Sequence, residues 1–126
     1  MAPRLYIVIP CYNEQEVLPI TAPMFLEKIP SLAAAGKISE DSRVMFVNDG
    51  SRDATLHNLK KIFKAQKCPV KVISFSRNFG KEAAIFAGLA QARGDCTVVI
   101  DCDLQHPPEK IVDMYRLWEQ GYEVVE

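Results

Sequence analysis

The sequence of 126 residues has no long hydrophobic run and no strong excess of charge of either sign. No apolar stretch approaches the ~20 residues that a membrane-spanning helix needs. The first apolar run, residues 5–9, is shorter than the core of a secretory signal peptide. The formal net charge of −1 argues against a strongly basic nucleic-acid binder. We therefore expect this stretch of chain to be soluble and to have no nucleic-acid partner.

The sequence also lacks the short motifs of several common sites. Its four cysteines form no C-x-x-C pair, and none stands at a zinc-site spacing from either of the two histidines, so we expect reduced thiols. There is no GxGxxG motif, and Gly80-Lys81 is not a P-loop because Phe75 stands where the first glycine is required. No serine lies in a nucleophile elbow. These absences argue against a dinucleotide site, a P-loop and covalent catalysis.

Short apolar runs alternate with helix-length segments along the whole chain. This alternation is typical of β-α-β units in a mostly parallel sheet that helices cover on both faces. We expect Pro10 to end the first strand. The predicted strands are 5–9, 44–47, 70–75, 97–100 and 122–125, and the helices between them include 80–93 and one that begins at Pro107.

Cap residues predict where the first two helices begin and end. Asn13 and Glu16 have the spacing of a capping box, while two following prolines predict an irregular or late start. Gly36 is the expected C-terminal stop of this helix. Ser51 or Asp53 is the expected N-cap of the second helix, which runs to about residue 66.

Polar and ionisable residues follow the first four predicted strands. In an open parallel sheet, ligands bind outside the carboxyl ends of the strands, near the point where the strand order reverses. Four polar strand ends at one edge therefore predict a binding site. The segments concerned are 10–14, 48–51, 76–81 and 101–105.

Asp101-Cys102-Asp103 is the sharpest of these features. Side chains at positions i and i+2 of an extended segment point the same way, ~6–7 Å apart. Two carboxylates so placed repel unless a cation lies between them or one is protonated. Mg²⁺ meets that need, and Gln105 adds an amide oxygen on the same side. Alternatively, one aspartate caps the following helix and the other is solvated.

Other residues at this edge have both a binding and a structural interpretation. Asp49 either accepts hydrogen bonds from a nucleobase or ribose, or serves a tight turn. Tyr12 offers a ring for stacking a nucleobase, and Glu14 offers a further acceptor. Lys81, with Arg77, forms either an anion site at a helix N-terminus or a solvated basic turn.

Four segments together resemble the start of a glycosyltransferase family 2 enzyme. The resemblance is closest to the polyprenyl-phosphate sugar transferases, which include bactoprenol glucosyltransferases and dolichol-phosphate mannosyltransferases. It runs over the whole chain, with the motifs in order and at the expected spacing. The chain departs from the family at Asn48, where many members have a second aspartate. The matching segments are 8–14, 47–53, 76–83 and 101–108.

The resemblance implies a Rossmann-like GT-A fold, a nucleotide-diphosphate sugar donor that we take to be UDP-linked, and a polyprenyl-phosphate acceptor. It also implies a Mg²⁺ or Mn²⁺ ion held by Asp103 and Gln105, to which the spacing argument adds Asp101. With Lys81 added as the candidate anion contact, the expected donor-binding residues are Pro10, Tyr12, Glu14, Val47, Asp49, Lys81, Asp101, Cys102 and Asp103.

Family members continue well beyond the length of this chain. We therefore expect residues 1–126 to be the N-terminal, donor-binding part of a GT-A domain that is incomplete at the C-terminus. On this interpretation the acceptor half and any membrane helices lie elsewhere. This part then has little or no transferase activity, and the full-length protein acts at the cytoplasmic face of a membrane. Alternatives are a non-catalytic nucleotide-binding module, a family 2 transferase with a polysaccharide acceptor and a metal-dependent phosphohydrolase. The sequence does not indicate an oligomeric state.

Overall fold

The computed structural model describes residues 3–65, 70–92 and 95–102. Within these ranges strands and helices alternate, which confirms the predicted α/β class. The helix predicted from Pro107 and the strand predicted at 122–125 lie outside the described residues. The elements are β1 (Leu5–Cys11), α1 (Leu18–Ala34), β2 (Arg43–Asn48), α2 (Thr55–Ala65), β3 (Val70–Ser74), α3 (Lys81–Gln91) and β4 (Cys96–Val99).

The described strands form one parallel sheet with the order β3-β2-β1-β4. The chain moves outward from β1 to β2 and β3, and then returns to the other side of β1 for β4. The strand order therefore reverses between β1 and β4. A crevice between the carboxyl ends of these two strands is the expected ligand site of such a sheet.

β1 continues through Pro10 to Cys11, so the prediction that Pro10 ends the strand is wrong. The carbonyl of Val8 accepts a hydrogen bond from Ile100 on the β4 side, and Pro10, two residues on, faces the same side. Pairing with β4 ends at Val8 and Val99, so Pro10 lies beyond that ladder. The ladder with β4 therefore does not need an N–H from Pro10, and β1 stays paired with β2 as far as Cys11.

Helices cover both faces of the sheet, as predicted. On one face, Ile7 and Ile9 of β1 pack in the main core with Phe25 of α1. On the other face, Val8 and the β2 residue Val47 pack with Ala84 of α3. A Cβ at Gly88 would overlap the side chain of Val8, so α3 lies directly on β1 at this glycine.

The start of α1 differs from the predicted capping box. α1 begins at Leu18, late as its prolines predict, and Val17 at the N-cap position makes no side-chain cap hydrogen bond. Asn13 has a φ of 52°, and its Oδ1 accepts a hydrogen bond from the N–H of Arg52 at 2.9 Å. The capping-box prediction is wrong because Asn13 contacts a neighbouring loop, several residues before the helix begins.

The other two cap predictions agree with the structure. Gly36, with a φ of 74°, follows α1 and forms a Schellman arrangement, in which its N–H donates to Ala33 and the N–H of Lys37 donates to Leu32. At the start of α2, Asp53 is the capping residue, because its Oδ1 accepts a hydrogen bond from the N–H of Thr55 at 2.9 Å.

Candidate functional site

A cavity of ≈ 420 Å³ opens at the carboxyl ends of the strands, where the strand order reverses. Each of the four described strands contributes residues that follow it or end it, as the sequence pattern predicts. The cavity is lined by Pro10, Cys11, Tyr12, Glu14, Asp49, Asn78, Gly80, Lys81, Asp101 and Cys102.

Seven of the predicted donor-binding residues therefore come together. The exception among the described residues is Val47, which does not line the cavity. Its side chain is fully buried against α3, because it alternates onto the face of β2 that packs on that helix. The predicted ligands Asp103 and Gln105 lie outside the described residues. The residues brought together are Pro10, Tyr12, Glu14, Asp49, Lys81, Asp101 and Cys102.

Asp49 holds the loop between β3 and α3. It is 2% exposed, and its carboxylate accepts hydrogen bonds from the N–H of Phe79 (2.8 Å), the N–H of Gly80 (3.1 Å) and Nδ2 of Asn78 (3.0 Å). Gly80 is the N-cap of α3 and has no side chain with which to cap it. Asp49 supplies the capping acceptor from the end of β2, where the positive end of the helix dipole also favours a negative charge.

Gly50 brings the turn after β2 against this same loop. Its φ is +62°, and a Cβ there would overlap the backbone of Arg77 and Asn78. Only glycine permits both the left-handed conformation and this backbone-to-backbone contact. The close approach places the Asp49 carboxylate within hydrogen-bond distance of the loop.

The two cations of the β3–α3 region have different surroundings. Arg77 lies over the ring of Phe79, with its Cζ 4.7 Å from the ring centroid, and it does not line the cavity. Lys81 does line the cavity, and its Nζ lies 2.6 Å from Oδ1 of Asp101. Of the two residues predicted to form an anion site, the structure thus places only Lys81 at the cavity.

Asp101 is the only one of the three predicted metal ligands within the described residues. Among residues 3–65, 70–92 and 95–102, no group of three or more histidine, cysteine, aspartate or glutamate side chains is arranged to hold a metal. The ammonium group beside Oδ1 shows that a cation fits against Asp101 in the cavity. Carboxylate oxygens are the ligands that a hard divalent ion prefers, so Asp101 suits the predicted site. The other two predicted ligands, Asp103 and Gln105, stay predictions.

Hydrogen bonds join the loop after β1 to the loop after β2, and the sequence reasoning did not identify them. The sequence feature that indicates these bonds is the run of amide, hydroxyl and carboxylate side chains that follows both β1 and β2, which are neighbours in the sheet. These bonds fix the backbone of residues 13–15, which includes Glu14 and directly follows Tyr12. They run from Asn13 N to Ser51 Oγ (3.0 Å), Arg52 N to Asn13 Oδ1 (2.9 Å), Glu14 N to Thr55 Oγ1 (2.8 Å), Gln15 N to Asp53 Oδ2 (3.3 Å) and Ala54 N to Gln15 Oε1 (3.0 Å).

Two thiols lie at the floor of the cavity. Cys11 and Cys102 both line it, although each is only 1% exposed. A hydrogen bond with the Cys102 side chain, burial and the nearby charge of Glu14 raise the pKa of Cys11 well above its ordinary value. The Cys11 thiol donates to the carbonyl of Ile9 at 3.5 Å, and Thr21 Oγ1 lies 3.7 Å from the Cys102 sulfur. Both cysteines are free thiols in this structure.

Sequence comparison identifies the family. Residues 6–125 match the family described as "Glycosyl transferase family 2". The chain belongs to glycosyl transferase family 2. This family 2 chain is 43% identical over 119 residues to the uncharacterized glycosyltransferase YkcC of Bacillus subtilis, covering 94% of this chain and 35% of that protein. It is 37% identical over 122 residues to an undecaprenyl-phosphate 4-deoxy-4-formamido-L-arabinose transferase of Photorhabdus laumondii, covering 97% of this chain and 36% of the relative.

Solved structures share the fold of this family 2 chain. A mannosyltransferase from Pyrobaculum calidifontis, in complex with GDP-Man and Mn²⁺, aligns with a TM-score of 0.59 at 22% identity, over 82% of this chain and 28% of the other. TarS residues 1–349 of Staphylococcus aureus, in complex with UDP, align with a TM-score of 0.62 at 21% identity, over 93% and 32%. The parallel sheet with its helices thus matches the fold of GT-A glycosyltransferases.

The family 2 chain spans about a third of the length of the relatives it matches, with 35% to 37% of each of the first three covered. Within the described residues, none of the helices combines the length and the hydropathy that crossing a bilayer demands.

Proposed function

We propose that this chain is the donor-binding part of a metal-assisted glycosyltransferase that moves a sugar from a UDP-linked donor to a polyprenyl phosphate. The observation that carries the proposal is the convergence of four polar strand ends on one cavity in a family 2 chain. Relatives named for an undecaprenyl-phosphate acceptor support the choice of acceptor. Fold neighbours in complex with UDP, or with GDP-Man and Mn²⁺, support a nucleotide-sugar donor and a divalent ion.

The nucleoside half of the donor fits the end of β1. Tyr12 is 42% exposed at the cavity, so its ring is accessible for stacking a base. Glu14 also lines the cavity, and its backbone is fixed by the hydrogen bond to Thr55. Because the hydrogen bonds between the two loops already hold this segment, its ordering does not have to accompany donor binding.

The diphosphate half fits between α3 and the end of β4. Lys81 is the first residue of α3, so its ammonium group and the first-turn N–H groups lie at the same end of the helix. Both favour an anion. In this arrangement the ammonium exchanges its contact with Asp101 for a contact with the donor phosphates.

The predicted divalent ion would be held by Asp101, Asp103 and Gln105. When bound, it would offset the negative charge that develops on the leaving diphosphate. Lys81 acts in the same direction from the N-terminus of α3. The attacking oxygen belongs to the lipid phosphate, which is already anionic, so little general-base assistance is required.

Calorimetric titration of UDP and of GDP, each with and without Mn²⁺, tests the proposal on the purified protein. We expect Mn²⁺-dependent binding of UDP, weakened at least about tenfold by Asp103→Ala. Asp41→Ala is the matched control, because Asp41 pairs with Arg4 (3.5 Å) at the amino end of β1, away from the cavity. This control should bind as the unmodified protein does.

Other outcomes contradict particular parts of the proposal. If the full-length protein binds neither nucleotide, the donor site is wrong. If UDP binds equally well without metal and in Asp103→Ala, the metal assignment is wrong. Binding without transfer by the full-length protein identifies a nucleotide-binding module, and phosphate release from simple esters identifies a phosphohydrolase. We propose that residues 1–126 bind the donor without transfer, which turnover comparable with that of a complete family member would contradict.

A further inference from the structure

The side-chain amide of Asn78 is held in one orientation at the cavity. Its Nδ2 donates to the backbone carbonyl of Asp49 at 3.2 Å and to Oδ2 of the Asp49 carboxylate at 3.0 Å. These two contacts use both N–H groups of the amide. Turning the amide over would set its oxygen against two acceptor oxygens, so the chemistry of Asp49 decides the orientation. Asn78 therefore offers its oxygen, Oδ1, and not its nitrogen, to any further partner.

This oxygen is available to a ligand. Asn78 lines the cavity and is an exposed residue. Within residues 3–65, 70–92 and 95–102, the hydrogen bonds of the Asn78 side chain are the two that its nitrogen donates, and no group donates to its oxygen. An acceptor oxygen in a fixed orientation favours a ligand that brings an N–H or O–H donor.

The carboxylate of Asp49 is less available than this amide oxygen. The sequence predicts Asp49 as an acceptor for a nucleobase or ribose. In the structure it is 2% exposed, and its two oxygens already accept three hydrogen bonds from the loop of residues 78–80. Asp49 therefore acts as a positioning residue that holds the Asn78 amide, and Asn78 offers the accessible acceptor.

The neighbours of Asn78 favour a nucleobase as the group that brings the donor. The N–H of Asp49 donates to the carbonyl of Cys11 at 2.8 Å, so Asp49 links the Asn78 loop to the end of β1. Tyr12 follows directly there and exposes its ring at the same cavity. A nucleobase has a flat face that stacks on such a ring and an edge that carries N–H groups. A neutral amide suits that edge, whereas the ammonium of Lys81 suits a phosphate.

We propose that Asn78 determines which nucleobase the cavity accepts, through a hydrogen bond from the ring N–H of the base to Asn78 Oδ1. The proposal rests on the proposed function and adds to it a selection among bases. Uracil carries the required N–H at N3, and guanine carries one at N1. Cytosine and adenine have a lone pair at the corresponding ring nitrogen, which would face the amide oxygen as acceptor against acceptor. A uracil-binding site of this kind therefore rejects CDP.

Calorimetric titration of UDP, N3-methyl-UDP and CDP, each with Mn²⁺, tests the proposal on the purified protein. N3-methyl-UDP lacks the ring N–H, and CDP has a lone pair in its place. We expect UDP to bind at least about fivefold more tightly than either analogue. Asn78→Ala should weaken UDP binding and bring the three affinities to within about twofold of one another. If Asn78 only held the loop, the variant would weaken all three ligands equally and keep the preference for UDP.

Asn58→Ala is the matched control. Its Nδ2 also donates to a backbone carbonyl, that of Gln15 at 3.0 Å, but Asn58 does not line the cavity. This variant should keep the full preference for UDP. If the preference persists in Asn78→Ala, or disappears equally in both variants, the assignment of the ring N–H to Asn78 is overturned.

The unmodified protein decides the result even if Asn78→Ala fails to fold. If it binds UDP, N3-methyl-UDP and CDP with equal affinity, the selection by ring N–H is overturned, while the donor site of the proposed function stands. If the full-length protein binds none of these nucleotides, the proposed function has failed and the base selection fails with it.

Discussion

Among single residues, Asp49 shows how N–H groups stabilise a buried carboxylate. Three donors from the loop of residues 78–80 surround its two oxygens. Hydrogen bonds to a charged group contribute about 1.5–3 kcal/mol each, and a buried polar group left without a partner costs a similar amount. Asp49 therefore contributes to the shape of the cavity through the loop that it holds.

Asp49→Asn should lower the free energy of unfolding by about 1–3 kcal/mol. The amide has one acceptor oxygen, so its NH₂ group would face either the N–H of Phe79 or the two donors on Gly80 and Asn78. Urea denaturation measures the loss. Asp41→Asn makes the same chemical change at an exposed surface pair and should cost less than about 0.5 kcal/mol. Equal losses in the two variants would contradict the structural role of Asp49.

Among loops and elements, the contact of the β2–α2 turn with the β3–α3 loop depends on one glycine. Gly50 and Gly36 share a left-handed backbone, with φ of +62° and +74°. They differ in their surroundings, because a Cβ at Gly50 would overlap the backbone of Arg77 and Asn78, whereas a Cβ at Gly36 has nothing within 4 Å. The two sites therefore separate backbone strain from steric overlap.

Gly36→Ala should cost about 1–2 kcal/mol, the strain of a left-handed alanine. Gly50→Ala should cost at least about 2 kcal/mol more, because loop backbone has to move to admit the methyl group. Thermal or urea unfolding of both variants measures the difference. Matching losses would show that the backbone contact at Gly50 contributes nothing beyond φ strain.

The sequence predicts these elements better than their ends. Alternating apolar runs and helical segments depend on local patterning, so all the elements within the described residues are found. Gly36 is also predicted correctly, because its Schellman arrangement uses only neighbouring residues. Pro10 and Asn13 are misread because their partners are distant in sequence. Pro10 is tolerated only because β4 has already separated, and Asn13 contacts Arg52 of another loop.

At the scale of the whole molecule, the sequence predicts which edge holds the site but not how its residues pair. The rule that parallel strands collect their carboxyl ends on one edge suffices to bring Tyr12 and Asp101 to one cavity. The contact between Lys81 and Asp101 requires the strand order, which local sequence does not encode. The burial of Val47 also depends on the tertiary structure, since it is decided by which face of the sheet α3 covers.

The stability of the whole fold should fall in alkaline solution, in part through Cys96. Burial raises the pKa of Cys96 to about 11, from a model-compound value of 9.0. The unfolded chain therefore loses this proton first. The stabilisation that comes from keeping the Cys96 thiol protonated is complete below about pH 9 and is lost as the pH rises through 11. In that range the free energy of unfolding falls by up to about 1.4 kcal/mol per pH unit.

Urea unfolding of the protein and of Cys96→Val between pH 8 and 11 measures the contribution of the Cys96 thiol. Lysines and tyrosines titrate in the same range, but they are common to both proteins and cancel in the comparison. The variant should lose stability less steeply with pH. Parallel stability curves for the two proteins would show that the buried thiol does not link protonation to folding.

The proline in β1 has a consequence for ligand binding. Adjacent parallel strands add hydrogen bonds as far as their donors and acceptors allow, and a crevice between them can close in that way. Pro10 offers no donor on the side of β4, so the hydrogen-bond ladder between β1 and β4 cannot lengthen at that residue. The crevice is thus preorganised by covalent structure. An arriving ligand does not have to separate two paired strands at this residue, so none of its binding energy is spent on breaking backbone hydrogen bonds there.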